Sequence, residues 1–277
     1  MRPQHALMLR HNHQELYNKY LKNASPQVRH FLFKLSMKTS IELTLITGLT
    51  LLVSTLNNFG QSNKKEKTPK HNQLTKKEIT EGWKLLFNGE ELKNWRYYNS
   101  PTKKITGWTI DNGNLHKPKG IKAGNIMTIQ RFENFIFSWE WKLESLGNNG
   151  VKYFITDQRN ATIGHEYQMI DDKKVKDPYS SNGSFYLIVK PRDDKPNLPM
   201  GSWNQSRIVV NGTHVEHWLN GIKILSYTCG SQQVMERVPK TKFKDVWKFG
   251  EKIRGHILLT DHTDACWYRN IKIKELD

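Results

Sequence analysis

Cysteine is scarce in this sequence: a chain of 277 residues contains two, Cys229 and Cys266. Neither has a partner at the spacing of a metal site, and no base can be assigned to a thiolate nucleophile, so both chemistries are excluded as the organising feature of the chain. Two unpaired, partly buried thiols are the favoured interpretation. A disulfide between them, in an exported protein, is the alternative.

Motifs of two large function classes are also missing. No Gly-x-Gly-x-x-Gly follows a predicted strand, so we expect no bound nicotinamide cofactor. The formal net charge is +17, but lysine and arginine are scattered, with no arginine-rich helix and no RNA-binding aromatic motif. We interpret this charge as a solvated basic surface that attracts acidic glycans, and we predict no nucleic-acid partner.

The first 62 residues lack the pattern of a folded domain. Residues 37–62 begin with Met37-Lys38 and contain an apolar run over residues 41–56, which is typical of a signal peptide and short for a membrane span. Because secretory signals begin a chain, we predict that Met37 is the start and that residues 1–36 are an unstructured upstream extension. We therefore expect a periplasmic or secreted protein, with an uncleaved membrane anchor as the alternative. No cysteine follows the run, so a lipoprotein anchor is not supported.

A charged, proline-containing stretch follows over residues 63–78, and we predict a disordered linker there. In residues 79–277 the sequence pattern changes: short apolar and aromatic runs alternate with Gly, Asn, Asp and Pro. This pattern predicts one all-β domain, a sandwich or jelly roll. Asn220-Gly221 predicts a type I′ hairpin. The only helical turns expected lie near residues 75–81 or 246–248.

The strands predicted from these runs span residues 84–87, 108–110, 114–116, 126–128, 135–143, 150–156, 166–170, 185–189, 203–210, 214–219, 222–227, 254–260 and 266–274. Among them, the strand that begins at Glu166 carries the most informative polar residues. Successive side chains of a strand alternate between faces, so Glu166 and Gln168 share one face while Tyr167 and Met169 share the other. A carboxylate and a carboxamide about 6–7 Å apart can hold one sugar ring together, although an ordinary polar strand face would look the same.

Several short motifs follow one another in a fixed order within residues 80–277. They are Gly82-Trp83-Lys84-Leu85-Leu86-Phe87-Asn88-Gly89, Gly107-Trp108-Thr109-Ile110, Trp139-Glu140-Trp141, Glu166-Tyr167-Gln168-Met169-Ile170-Asp171, His217-Trp218-Leu219-Asn220-Gly221, Leu259-Thr260-Asp261-His262 and Trp267-Tyr268-Arg269-Asn270. Each is weak alone. As an ordered set they resemble the 3-keto-disaccharide hydrolase family of exported bacterial proteins.

This resemblance implies a concanavalin A-like jelly roll of two curved antiparallel sheets, with the ligand cleft on the concave face. It also implies a small carbohydrate substrate, a glycoside whose C3 hydroxyl has been oxidised to a ketone by a separate sugar 3-oxidoreductase. The ketone acidifies the C2 proton, so a base can remove that proton while the aglycone leaves C1, and water can then add to the enone. The chemistry needs a base, and a cation, metal or hydrogen-bond donor at the enediolate oxygen. The oligomeric state has no signature in the sequence.

Two residues are the candidate catalytic groups. Glu166 is the first candidate for the base, or for a sugar or metal contact, and His262 is the candidate proton carrier. Five further residues are candidate substrate contacts. Gln168 would orient the substrate beside Glu166, and Asn149 lies at a glycine-flanked bend where the backbone can approach a ligand. Asp171 is either a ligand or a loop acid. Glu140 would line the cleft if its neighbouring tryptophans are core, and either Tyr153 or Lys152, but not both, can face the cleft.

Three alternatives stay open. A retaining glucanase carries Glu-x-Asp-x-x-Glu on one strand; here the pattern reads Glu166-x-Gln168-x-x-Asp171, with an amide in the middle and a shorter last acid. A non-catalytic carbohydrate-binding module would use the same fold, and a surface scaffold without a ligand is the third alternative. The sequence assigns no cofactor, but a divalent metal such as Ca²⁺ would suit the Asp171-Asp172 loop.

Overall fold

The computed structural model describes residues 71–277. The predicted upstream extension, the signal peptide and residues 63–70 of the predicted linker lie outside the described residues and stay predictions. Within the described part, no helix is long and apolar enough to cross a membrane.

Residues 71–78 are ordered, so the prediction of a disordered linker is wrong for this part of the chain. The buried Asn72 forms two hydrogen bonds with Asn270. The backbone N–H of each residue donates to the side-chain oxygen of the other, at 2.6 Å from Asn72 and 2.8 Å from Asn270. Helix α1 (Lys76–Thr80) then begins with a capping box between Thr75 and Glu78, which satisfies backbone donors of the first turn. The order comes from polar contacts, which a search for apolar periodicity does not detect. The predicted helical turn near residues 75–81 is confirmed.

The described residues contain thirteen strands: β1 Trp83–Leu85, β2 Trp95–Tyr97, β3 Thr109–Asp111, β4 Asn114–Lys117, β5 Ile126–Thr128, β6 Phe135–Leu143, β7 Asn148–Ile155, β8 His165–Ile170, β9 Asn204–Asn211, β10 His214–Leu219, β11 Ile222–Thr228, β12 His256–Leu259 and β13 Cys266–Glu275. The larger sheet has the order β11-β10-β9-β6-β13-β4-β3, with β1 also paired to β13, and the five-stranded sheet has the order β2-β5-β12-β7-β8. All pairings between these strands are antiparallel. The architecture is the expected concanavalin A-like jelly-roll sandwich.

The core lies between the two sheets and is rich in aromatic side chains. Trp139 on β6 is fully buried and meets Tyr167 on β8 edge to face, with ring centroids 5.0 Å apart. Tyr153 on β7 crosses the core, where its hydroxyl is 2.8 Å from Nε2 of His217 and 2.7 Å from the Tyr227 hydroxyl. Large aromatic residues alternate along these strands because one face of each sheet is buried against the other.

The structure also corrects several local predictions. Strand β2 was not predicted, and residues 185–189, predicted as a strand, form only isolated bridges. Residues 246–248 form turns, and the second helix is α2 (Gln232–Arg237). Asn220 and Gly221 both have positive φ, 46° and 82°, as a type I′ hairpin requires. The two cysteines, Cys229 and Cys266, are free and buried, as the favoured interpretation expected.

Candidate active site

The predicted alternation along β8 is present. Tyr167 and Met169 are fully buried between the sheets, whereas Glu166 and Gln168 face the opposite, outer side of the five-stranded sheet. On β7, Lys152 pairs with Glu166 and Gly150 pairs with Gln168, so these residues share that outer side. We call this surface the site face.

Glu166 lies flat over the backbone of β7. A Cβ atom built at Gly150 would be 2.4 Å from Oε1 of Glu166 and 3.2 Å from its carboxyl carbon. Any larger residue at position 150 would therefore displace the carboxylate. The need for glycine here comes from this close approach and is independent of backbone strain.

Three side chains form a cluster on the site face, and we call Glu166, Lys152 and His262 the acid–base cluster. The Lys152 ammonium is 3.8 Å from Oε2 of Glu166, and it donates a 3.1 Å hydrogen bond to the carbonyl of Thr162. His262 lies in the segment between β12 and β13. The Thr260 N–H in this segment donates a 3.1 Å hydrogen bond to the Gly150 carbonyl of β7, and the charges of Glu166 and Lys152 both act on the His262 imidazole.

The environment of His262 favours the neutral imidazole. Burial lowers its pKa from the ordinary value of 6.5, and the Lys152 ammonium adds to this effect. The carboxylates of Glu166, Asp264 and Asp261 oppose it by stabilising the charged form. The ring makes no hydrogen bond to another residue of 71–277. A neutral imidazole with a free nitrogen and a nearby carboxylate has the properties of a general base.

Gln168 lies beside the cluster, on the same face as Glu166. Its amide nitrogen donates a 2.9 Å hydrogen bond to the side-chain oxygen of Asn148, which fixes the amide orientation. Its predicted role in orienting a substrate stays a prediction, and its position on the site face is compatible with that role.

Asn149 and Tyr153 point into the sandwich, so the prediction that they line the cleft is wrong. Both are fully buried. The side-chain oxygen of Asn149 accepts hydrogen bonds from the Thr260 hydroxyl at 2.5 Å and from the Gly150 N–H at 2.9 Å, and the Tyr153 hydroxyl belongs to the core network described above. The physical reason is the register of β7, which turns Asn149, Val151 and Tyr153 inward and directs Lys152 to the site face.

Glu140 belongs to the other sheet, so the prediction that it lines the cleft is also wrong. Its neighbours Trp139 and Trp141 are core, as the prediction assumed, and Glu140 therefore faces outward. However, β6 is part of the larger sheet, and the outward direction leads away from the site face. Glu140 accepts 2.7 Å hydrogen bonds from Arg269 and from Asn270.

Asp171 stabilises a turn and does not face the cluster. It is buried, and its carboxylate accepts hydrogen bonds from the backbone N–H groups of Leu146 and Lys173, at 2.9 and 3.1 Å. The neighbouring Asp172 carboxylate is 2.7 Å from Lys195 and accepts further hydrogen bonds. These donors stabilise the two carboxylates within the loop, and a divalent metal at this loop stays a prediction. Residues 71–277 contain no group of three or more His, Cys, Asp and Glu side chains able to hold a metal.

An ion pair inside the sandwich anchors the segment that carries His262. Lys117 on β4 is fully buried, and its ammonium is 3.3 Å from Asp261. Asp261 also accepts a 2.6 Å hydrogen bond from the Gly124 N–H and donates its own N–H to Asn125 at 2.7 Å. Sequence reasoning missed Lys117. The available signal was a charged residue two positions after the core residue Leu115, on the inward face of its strand.

Comparisons with known proteins agree with the fold and the motifs. A family model described as the 3-keto-alpha-glucoside-1,2-lyase-like domain matches residues 82–274. The chain is 27% identical over 235 residues to a 3-keto-disaccharide hydrolase of Bacteroides thetaiotaomicron, covering 71% of this chain and 79% of that protein.

Two crystal structures from Parabacteroides distasonis, both provisionally assigned as glycosyl hydrolases, share the fold. One is 31% identical with a TM-score of 0.68 and covers 75% of this chain and all of its own. The other is 28% identical with a TM-score of 0.56 and covers 70% of this chain and 99% of its own.

Proposed function

The chain belongs to the family of 3-keto-alpha-glucoside-1,2-lyase-like domains, and from this premise we propose that it is an enzyme that cleaves 3-keto-glycosides, including 3-keto-disaccharides. The observation that carries the proposal is the acid–base cluster, because a base, a carboxylate and a cation meet on one face. The substrate would be produced by a separate enzyme that oxidises the C3 hydroxyl of a sugar.

The chemistry begins with the C2–H bond, which the adjacent C3 ketone acidifies. A base accepts the C2 proton, negative charge develops on the C3 oxygen, and the C1–O bond then breaks. The electron pair of that bond leaves with the aglycone oxygen, which takes up a proton. A double bond between C1 and C2 remains, and the addition of water across it gives the free 3-keto sugar.

We assign His262 as the group that accepts the C2 proton. Glu166 was the first candidate from sequence, but its carboxylate already lies beside the Lys152 ammonium, whereas the His262 ring has a free nitrogen and a lowered pKa. Glu166 would stabilise the imidazolium that forms. Lys152 would stabilise the developing charge on the C3 oxygen, which is a large effect in a water-poor site. Gln168 would orient the sugar ring.

The test is release of a chromogenic aglycone from a 3-keto-glucoside, compared with its unoxidised parent glucoside. We expect release from the keto form alone and loss of release in His262→Asn. Release from the parent at a comparable rate would instead indicate a conventional glycosidase. Binding of both compounds without release would indicate a carbohydrate-binding module.

Two additions to the same assay distinguish elimination from hydrolysis and test the need for a divalent metal. An enone absorbing in the near ultraviolet would accumulate if elimination is the net reaction, and only the 3-keto sugar would appear if hydration follows. Addition of a chelator tests the divalent metal, and we expect no change in rate because Lys152 supplies the positive charge in this proposal.

A further inference from the structure

A cavity of about 360 Å³ lies next to the acid–base cluster. Its lining includes Tyr97, Tyr98, Lys103, Lys122, Asn125 and Thr162, and we call it the tyrosine–lysine cavity. The volume is in the range of ligand pockets, and rings with hydroxyl, amide and ammonium groups are suited to a polar organic group.

Shared residues connect the cavity to the cluster. Thr162 accepts the hydrogen bond from the Lys152 ammonium through its carbonyl, at 3.1 Å, and one from the Asn125 amide through its hydroxyl, at 3.3 Å. Asn125 in turn accepts the N–H of Asp261, the residue before His262. Thr162 and Asn125 are thus a wall common to both, and one substrate can reach the cluster with one end and the cavity with the other.

The wall that carries Lys103 is held in place. The Tyr97 hydroxyl accepts hydrogen bonds from the backbone N–H groups of Thr106 and Gly107, at 3.0 and 3.3 Å. The Tyr97 ring also packs on Gly124, where an added Cβ would be 3.0 Å from the ring. These hydrogen bonds join the two ends of the segment from residue 97 to residue 107, and this segment bounds the cavity on one side.

The charged side chains that line this cavity are all cationic. None of its lining residues is Asp or Glu, and within residues 71–277 no carboxylate lies within 4.0 Å of the Lys103 or Lys122 ammonium group. The nearby Arg96 guanidinium donates to the carbonyls of Tyr97 and Tyr98, and among the described residues it has no carboxylate within 4.0 Å. Three carboxylates surround the lining, Asp261 at the Gly124 N–H, Asp157 near Tyr98 and Glu166 in the acid–base cluster. Each is already paired with a cation outside the lining: Lys117, Arg131 and Lys152 respectively.

We propose that the tyrosine–lysine cavity binds the leaving group of the substrate and favours a leaving group that carries an anionic substituent, a carboxylate or a phosphate. This inference rests on the proposed function and adds a substrate preference to it. The reacting ring lies at the acid–base cluster, and the departing group extends past Thr162 towards Lys103 and Lys122.

The test uses 3-keto-glucosides of two similar phenols, 4-hydroxybenzoate and its methyl ester, which differ in one negative charge. Because the ester is also the more acidic phenol and the better leaving group, each substrate is compared between a variant and the wild type. A third arm with 4-hydroxyphenyl phosphate distinguishes a phosphate from a carboxylate preference. The variant is Lys103→Gln/Lys122→Gln. The control is Lys93→Gln/Lys119→Gln, which removes the same charge at exposed positions outside the cavity.

We expect the cavity variant to lower kcat/KM about tenfold for the carboxylate substrate, the effect of two partly screened charges, and to change the ester by less than about twofold. The control variant should leave both substrates unchanged. Equal losses in the two variants, or a cavity variant that lowers kcat/KM for the ester as much as for both anions, would overturn the proposal.

Failure of the proposed function is distinguishable from failure of this inference. If the wild-type protein cleaves none of the three keto substrates, the proposed function fails, and the cavity is tested by calorimetry with 4-hydroxybenzoate, its methyl ester and 4-hydroxyphenyl phosphate. Binding of an anion that is lost in Lys103→Gln/Lys122→Gln and kept in the control supports the cavity. No anion binding by the wild-type protein overturns it.

Discussion

The imidazole of His262 is near a carboxylate and an ammonium group whose effects on its pKa have opposite signs. Glu166 raises the pKa and Lys152 lowers it. If neutral His262 is the base, kcat/KM falls as the pH decreases through its pKa, which burial places below 6.5. Glu166→Gln should therefore move this acid limb to lower pH, and Lys152→Met should move it to higher pH.

The measurement is kcat/KM on a 3-keto-glucoside between about pH 4.5 and pH 8, which reports the groups of the free enzyme. We expect Lys152→Met to cost about 10²–10³-fold in rate, and His262→Asn to cost about 10²–10⁴-fold and to remove the limb. Shifts of the limb in the same direction for Glu166→Gln and Lys152→Met would contradict the assignment of His262.

Gly150 offers a second test at the level of one residue. In Gly150→Ala the new methyl group would meet Oε1 of Glu166 at 2.4 Å, and the flexible end of that side chain would move away while the strand keeps its conformation. We expect kcat/KM to fall about 10-fold or more with little change in the thermal unfolding midpoint. A loss of stability that matches the loss of activity would show that the strand itself is disturbed.

The sequence predicted the face on which a side chain lies only where the alternation of its own strand decides that face. The split of Glu166 and Gln168 from Tyr167 and Met169 follows from alternation alone, and it is confirmed. The choice between Lys152 and Tyr153 depends on how β7 is registered against β8, which is a long-range property. The local sequence around β7 therefore could not show which of the two residues faces the site.

At the scale of elements, the Lys117–Asp261 pair joins one sheet to the segment that follows β12. Both side chains are nearly or fully buried, at 0 and 9% exposure, and loss of one partner leaves a buried charge. Asp261→Asn should lower the free energy of unfolding by about 3–5 kcal/mol. Lys117→Met/Asp261→Asn should recover most of that loss, because no buried charge remains and asparagine can still accept the Gly124 N–H.

Urea denaturation of the wild type and of these variants measures the effect. A double variant as unstable as Asp261→Asn would mean that the ion pair is not the cause of the loss. The exposed pair Lys93–Glu91 serves as a reference, since its removal by Lys93→Gln should change stability by less than about 1 kcal/mol.

Pairing between elements also explains which sequence predictions failed. Glu140 was placed correctly relative to Trp139 and Trp141, but the assignment of β6 to the larger sheet is set by its pairing with β9 and β13. Residues 71–78 are ordered by contacts with Asn270, nearly two hundred positions away. Neither relation leaves a local pattern in the sequence.

At the scale of the whole molecule, two core histidines make the fold sensitive to acid. Burial lowers the pKa of His217 to about 4 and that of His165 well below its ordinary value. Below pH 6.5 the unfolded chain binds protons at these residues and the folded chain does not. Their contribution to stability is therefore fully present well above pH 6.5 and is lost as the pH falls. The loss is about 2 kcal/mol for His217 at pH 5, and His165 adds a loss of the same sign.

We expect the urea midpoint at pH 5 to be clearly lower than at pH 7.5. In His217→Gln the protein should be less stable at pH 7.5, because Tyr153 loses a partner, but its stability should depend less on pH. Identical midpoints at pH 5 and pH 7.5 in the wild type would contradict the prediction.

The fold itself was predictable at this scale because the ordered motifs cover most of the domain. The alternation of apolar runs with turn residues indicated a β-sandwich, and the family resemblance selected the jelly roll among the sandwiches. The tyrosine–lysine cavity was not predictable, since its walls come from residues 97–107, 122–125 and 162, which meet only in the folded chain.

The two buried cysteines have a practical consequence for experiments on this protein. Burial raises the pKa of Cys229 to about 12 and that of Cys266 further above its ordinary range, so both thiols stay protonated and shielded from alkylating reagents. A cysteine introduced at Ser100, on the rim of the tyrosine–lysine cavity, would therefore be the only one to react with a maleimide fluorophore. Occupancy of the cavity could then be followed by fluorescence without first replacing native residues.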